Sequence, residues 1–271
     1  MEESIRNQKM RYIKNKSSYD FYDLVLIVEL LRSEGGCPWD MEQTHKSIRK
    51  DFIEETYEVI EAIDTDNPAL LKEELGDVLL QTVFHARIEE ESGSFDIGSV
   101  TDGICKKLIH RHPHVFGNIK VDGSEEVLSN WDKIKSEEKG RVTYADKLNA
   151  IPPMLPALMR AQKVGKKAVC FDFENTDAVI SKIYEETEEV KNAIEAENHA
   201  QTEEEIGDLL LTVTSLARKA GVDSEEALYK ATNKFISRFE RLEKEVSKSG
   251  RNIDEMNMKE LDEVWDSLKH T

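Results

Sequence analysis

An internal repeat limits the folds open to this chain more than any other feature. Glu54-Glu55-Thr-Tyr-Glu58 returns as Glu185-Glu186-Thr-Glu-Glu189, and Glu73-Glu74-Leu-Gly-Asp77 returns as Glu204-Glu205-Ile-Gly-Asp208, every acid 131 positions further on. Neither stretch needs a gap. Looser echoes surround them: Cys37-Pro-Trp-Asp40 against Cys170-Phe-Asp-Phe173, and Lys107, Arg111 and Trp131 against Lys234, Arg238 and Trp265. Two copies of this length describe a duplicated domain, whereas a solenoid needs three or more shorter units.

Within each copy apolar residues recur at three and four, as in Phe21, Leu24, Val25, Val28 and Leu31 or Ile183, Val190 and Ile194, the period of an amphipathic helix. Gly35-Gly36 with Pro38 closes the first run, Asn67-Pro68 opens another that Ser92-Gly93 closes, and Ile151-Pro152-Pro153 breaks the middle. No run alternates like a strand. The fold class expected is all-α, a tandem of duplicated helical domains: residues 1–138 with a core from about 20, a linker at 139–156, and residues 157–271. At 271 residues and 39% hydrophobic, with thirteen Gly and six Pro, the chain suits two modest domains and not disorder or turn-rich β structure.

The repeated acids suggest chemistry. Glu55 and Glu58 are three apart on one predicted helix and Glu74 and Asp77 on the next, so each pair shares a face. A short turn around Asp64–Pro68 lets the two helices run antiparallel and the four carboxylates converge. Such a cluster repels itself without a cation, and hard oxygen ligands select Mg²⁺ or Mn²⁺. A single ExxE in so acidic a chain is ordinarily a solvated face, but that does not explain a repeat at constant offset. Val59, Ile60, Ile63, Val78 and Leu79 follow the acids at core spacing. Gly76 and Gly207 cost about 1 kcal/mol each inside helices, which suggests close helix approach.

Other metal readings fit less well. A di-iron bundle needs Glu-x-x-His on two helices, and Glu42-Gln-Thr-His45 has no counterpart in the second copy. His110-Arg-His-Pro-His114 occurs once, beside a proline, and reads as a helix end. Carboxylate-held Mg²⁺ with few other protein ligands commonly serves a phosphate substrate. Lys234 and Arg238, four apart on a helix predicted over Lys230–Val246, and Lys107 and Arg111 can each present two cations to a polyphosphate. Trp265 and Trp131 are candidates for stacking a base.

Acidic residues outnumber basic ones 55 to 37, a net charge of −18 that repels nucleic acid. No stretch has the apolar length of a signal peptide or membrane span. Three widely spaced cysteines, Cys37, Cys105 and Cys170, fit a reducing compartment, and the location expected is cytoplasmic.

GCPWDMEQTH, EETYEVIEAI, EELGDVLLQTVFHA, RHPHVFG, PALMRAQK and EEIGDLL together resemble the MazG family of nucleoside triphosphate pyrophosphohydrolases, in family order over about residues 20 to 268. The resemblance implies two four-helix-bundle-like MazG domains completed by homodimerisation, hydrolysing NTPs to NMP and pyrophosphate with Mg²⁺. Glu186, Glu189, Glu205 and Asp208 match the family's metal ligands, and Lys182, Lys234, Arg238 and Trp265 its nucleotide contacts. By internal repeat, Glu55, Glu58, Glu74 and Asp77 form the first domain's metal set, with Lys107, Arg111 and Trp131 beside them. Gln201 stands where some members carry a Lys. The resemblance favours the second domain as the main catalytic unit.

The mechanism expected is in-line attack on the α-phosphorus by a water that Glu185 or Glu54 orients, with Lys234 and Arg238 offsetting charge on the leaving group. The competing readings are a nucleotide-binding regulator without turnover and a purely structural helical dimer.

Overall fold

The computed structural model describes residues 4–138, 140 and 143–268. All regular structure among them is helical. The chain divides into two compact units, residues 1–131 and 132–271.

The first unit contains α1 (Ile5–Lys14), α2 (Phe21–Arg32), α3 (Pro38–Glu42), α4 (Arg49–Asp64), α5 (Pro68–Ser92), α6 (Ile97–Arg111), α7 (Pro113–Phe116) and the start of α8 (Ser124–Glu138). Its core joins Val28 of α2, Ile48 and the α5 residues Val83 and Phe84, with Phe21, Leu24, Leu80 and Ile97 packed around them. The second unit contains α9 (Tyr144–Asn149), α10 (Ala157–Lys167), α11 (Thr176–Glu195), α12 (His199–Lys219), α13 (Ser224–Lys248) and α14 (Met258–Ser267). Leu242, Val246 and Leu268 form a buried cluster there, covered by Ile253, Met256, Leu261 and Trp265. Of the stretch read as a linker, Lys139, Arg141 and Val142 lie outside the described residues, and 144–149 form α9, in the second unit. No helix among the described residues is long and apolar enough to cross a membrane.

The duplication extends into backbone detail. The main helix pair of each unit, α4 with α5 and α11 with α12, is joined by a three-residue turn. Asp66 (φ 49°) and Glu197 (φ 53°), at equivalent positions, adopt the left-handed conformation that L-residues avoid by roughly 1–2 kcal/mol. Asn67 and Asn198 follow, each accepting through its side chain the backbone N–H three residues on, which caps the next helix. Ala62 and Ala193, also at equivalent positions, are both buried. Further on, α5 has 25 residues and α12 has 21, one helical turn fewer. That missing turn is why Lys107 and Arg111 recur at an offset of 127 and not 131.

Gly76 and Gly207 are not points of close helix approach, because a Cβ at either would meet nothing within 4 Å. Ile60, Ile63 and Leu79 are likewise exposed and not core. The helical period places them on an apolar stripe, which the described residues of one chain leave uncovered.

Candidate metal and nucleotide site

In each unit the acids come from both members of the antiparallel pair. Glu55 and Glu58 lie on α4 and Glu74 and Asp77 on α5, and one oxygen each of Glu55, Glu58 and Glu74 lie within 4.8 Å of one another. Glu186, Glu205 and Asp208 meet to the same limit between α11 and α12. The fourth acid of each set, Asp77 or Glu189, interacts electrostatically with members of its own cluster. Burial pushes Glu55 up to about 6, and the charges of Asp77, Glu58 and Glu74 add to the effect. Glu74 is raised by burial and then by Glu58. Glu189 is raised by burial, against the pull of Lys182 and with a push from Glu186 and Glu205.

These features fit a divalent cation. The donors are all oxygens, two of the carboxylates, Glu74 and Glu186, are buried, and their mutual repulsion is what a bound cation would relieve. Four residues beyond Asp77 on α5, the buried Oε1 of Gln81 has no hydrogen-bond partner among the described residues. Gln81 was not singled out in the sequence, although its spacing from Asp77 put it on the same face.

One expected result concerns Glu55 alone. Its folded-state value of about 6 lies above the ordinary 4.5, so its stabilising contribution is complete below pH 4.5 and is lost as pH rises through 6. In EDTA, Glu55→Gln should therefore gain melting temperature relative to wild type between pH 4.5 and 7, by calorimetry. A constant difference across that range would show that Glu55 is not strained by its neighbours.

The units differ at one equivalent position. Lys182 Nζ lies 2.9 Å from Glu186 and 2.7 Å from Glu185, which supplies the second cluster with an internal cation. The first unit has Asp51 there. Gln201, in place of the lysine of some family members, donates to Glu205 Oε1 at 3.4 Å. Glu185 is exposed and held by Lys182, and Glu54 is exposed.

The Arg–Trp pairing occurs in both units. The Arg111 guanidinium lies 5.6 Å from the Trp131 ring centre and that of Arg238 5.1 Å from Trp265, both within cation–π range. Phe235 also packs on Trp265 at 5.1 Å, whereas Trp131 meets the ring of His112 edge-on at 4.7 Å. His112 terminates α6 and its Nδ1 lies 2.6 Å from the Leu108 carbonyl, so the His-Arg-His-Pro-His run ends a helix. Among the described residues, no hydrogen bond or ion pair links Lys234 or Arg238 to the acids. A cavity of about 650 Å³, lined by Lys133, Tyr144, Lys147, Lys166 and Lys167 among others, includes none of these site residues.

The helix pairs bearing the acids are also what is similar to known proteins. The model of the MazG nucleotide pyrophosphohydrolase domain matches twice, at residues 43–116 and 174–242. The chain belongs to the MazG family. Each MazG match contains one complete set of four acids and one of the two Lys/Arg pairs. The MazG nucleoside triphosphate pyrophosphohydrolase/pyrophosphatase of Thermotoga maritima is 45% identical over 92% of this chain and 95% of its own length. The nucleoside triphosphate pyrophosphohydrolase of Escherichia coli K12 is 43% identical over 91% and 95%. Bacillus subtilis YabN, an uncharacterized protein, is 38% identical over 98% of this chain and 54% of its own length.

Proposed function

We propose that the chain is a Mg²⁺-dependent nucleoside triphosphate pyrophosphohydrolase that converts an NTP and water to NMP and pyrophosphate. We further propose that it acts on a broad range of ribo- and deoxyribonucleotides to keep the nucleotide pool clean, as a cytoplasmic homodimer. The observation that carries this reading is the repeated cluster of partly buried carboxylates, in a chain whose full-length relatives bear that activity in their names.

Mg²⁺, when bound by the acids, supplies charge neutralisation for the phosphates and a more acidic water. The chain's own residues do the rest. Glu185, or Glu54 in the first unit, holds the water so that its oxygen bonds to the α-phosphorus as the bridging α–β P–O bond breaks. The water's proton passes to that carboxylate and the bond's electron pair leaves with pyrophosphate. Lys234 and Arg238 face the charge that grows on the leaving group, a contact stronger in the transition state than in the ground state. Trp265, with Arg238 beside it, offers a π-face to any base, which accounts for a broad range. Lys182, already turned onto Glu186, favours the second unit as the main catalytic one. Lys107, Arg111 and Trp131 would serve the first unit in the same way.

Phosphorus NMR of the products from each common NTP and dNTP tests this directly. Pyrophosphate and NMP are expected. Orthophosphate with NDP would overturn the assigned bond cleavage, and tight NTP binding without product would leave a regulator without turnover.

A further inference from the structure

The acid-bearing face of α5 continues past the metal cluster. Gln81, His85 and Glu89 follow Asp77 at steps of four residues, and His45, from the turn between α3 and α4, docks on them. His45 Nδ1 lies 2.7 Å from His85 Nδ1, and His45 Nε2 lies 2.7 Å from Glu89 Oε1. The two imidazoles meet edge to edge, with ring centres 5.0 Å apart and planes only 5° apart. At the equivalent positions the second unit has Thr176, Leu216 and Ala220, so this arrangement belongs to the first unit alone.

The geometry counts protons. Two imidazole nitrogens facing each other at 2.7 Å require one to donate and the other to accept. With both rings neutral, His45 donates from Nε2 to Glu89 and accepts at Nδ1 from His85. With one surplus proton, His45 donates at both nitrogens and His85 accepts. A second surplus proton sets two N–H groups and two positive charges against each other, and the contact cannot persist.

We propose that the His45–His85 pair is an acid-release latch: it seats the turn between α3 and α4 on α5 while holding at most one surplus proton, and frees it when a second enters. The groups that face the pair agree. Glu89 bonds His45, and its carboxyl is held below the ordinary range mainly by that bond. His85 is held below 6.5 by burial and then by the charge of His45. α4 contributes the uncharged ring of Phe52, 5.7 Å from His85. Because its folded-state value is depressed, His85 contributes stability present above pH 6.5 and lost as pH falls below it.

The freed segment has a defined pivot. The Arg32 guanidinium donates to the Asp40 and Gln43 carbonyls at 2.5 and 3.1 Å and pairs with Glu91 at 2.8 Å. Release therefore concerns the residues after Gln43, which lead directly into α4 and its metal-site acids.

Hydrogen exchange of residues 44–48 in the full chain, corrected for intrinsic rates between pH 7.5 and 5, tests the latch. Below pH 6.5, the ordinary value from which burial depresses His85, protection should fall about tenfold per pH unit, the slope for uptake of one proton. His85→Gln, which can still donate and accept but cannot charge, should hold protection constant. His45→Gln gives the same reading should the first variant not fold. The proposal is overturned if wild-type protection is flat, if both variants keep the wild-type slope, or if residues 176–195 lose protection in parallel, which would mark global unfolding.

Discussion

Glu186→Gln should cost roughly 10²–10³ in kcat at saturating Mg²⁺, the effect of removing one preorganised electrostatic group from a site where phosphoryl charge develops. That is about 3–4 kcal/mol of barrier. The substitution keeps the side-chain volume and one acceptor oxygen, so the 4%-exposed position stays filled and the fold is not the cause of the loss. It removes the charge, and with it the partner of Lys182 and one wall of the set formed with Glu205 and Asp208. The matching change in the first unit, Glu55→Gln, should leave most of the turnover, because Asp51 stands there where the second unit has Lys182. Pyrophosphate release kinetics on both variants, beside Mn²⁺ binding followed by electron paramagnetic resonance, separate the sites. Each variant should lose Mn²⁺ in its own unit, but only one should lose kcat. If Glu55→Gln silences the enzyme while Glu186→Gln does not, the units exchange roles. Wild-type turnover in both would remove the carboxylates from the mechanism.

The helix pairs and their turns were legible because capping and periodicity are local. Asn67-Pro68 announces the start of α5, and the 131-residue register carries the acids, Ala62 and Asn67 onto Glu186, Ala193 and Asn198 without help from the structure. The Arg–Trp pairs were visible as separate candidates, and only the structure sets each guanidinium over its indole. Burial was the part that periodicity could not supply. An apolar stripe shows that a face must be covered, not what covers it, so Ile60, Ile63 and Leu79 looked like core and are exposed. Gly76 and Gly207 looked like contact points for the same reason. In the sequence His45 stands out only within Glu42-Gln-Thr-His45, because its partner His85 lies 40 residues away and no short motif spans that distance.

Replacing Ile236 by Glu should turn the proposed dimer into monomers of 31.0 kDa by light scattering at micromolar concentration, and turnover should fall with it. The argument rests on α13. Its buried residues, Ser224, Leu242 and Val246, sit near its two ends, while Leu228, Tyr229, Phe235, Ile236 and Phe239 in between are all exposed. Their spacing forms one apolar stripe. Ile206, Leu210 and Leu211 on α12 are exposed as well. Contiguous apolar surface of this kind marks an interface, and a second copy of the chain is the proposed occupant. Covering one such side chain is worth roughly 1.5–3 kcal/mol, and burying an unpaired carboxylate costs more than that. The dissociation constant should therefore rise at least a hundredfold, since 1.4 kcal/mol is about tenfold. Ile236 is half-exposed in the single chain, so the monomer should keep its helical circular dichroism. Phe235 is the wrong residue for this test because it packs on Trp265. An Ile236→Glu protein that remains dimeric would place the interface away from α13, and one that is monomeric yet fully active would show that each chain completes its site alone.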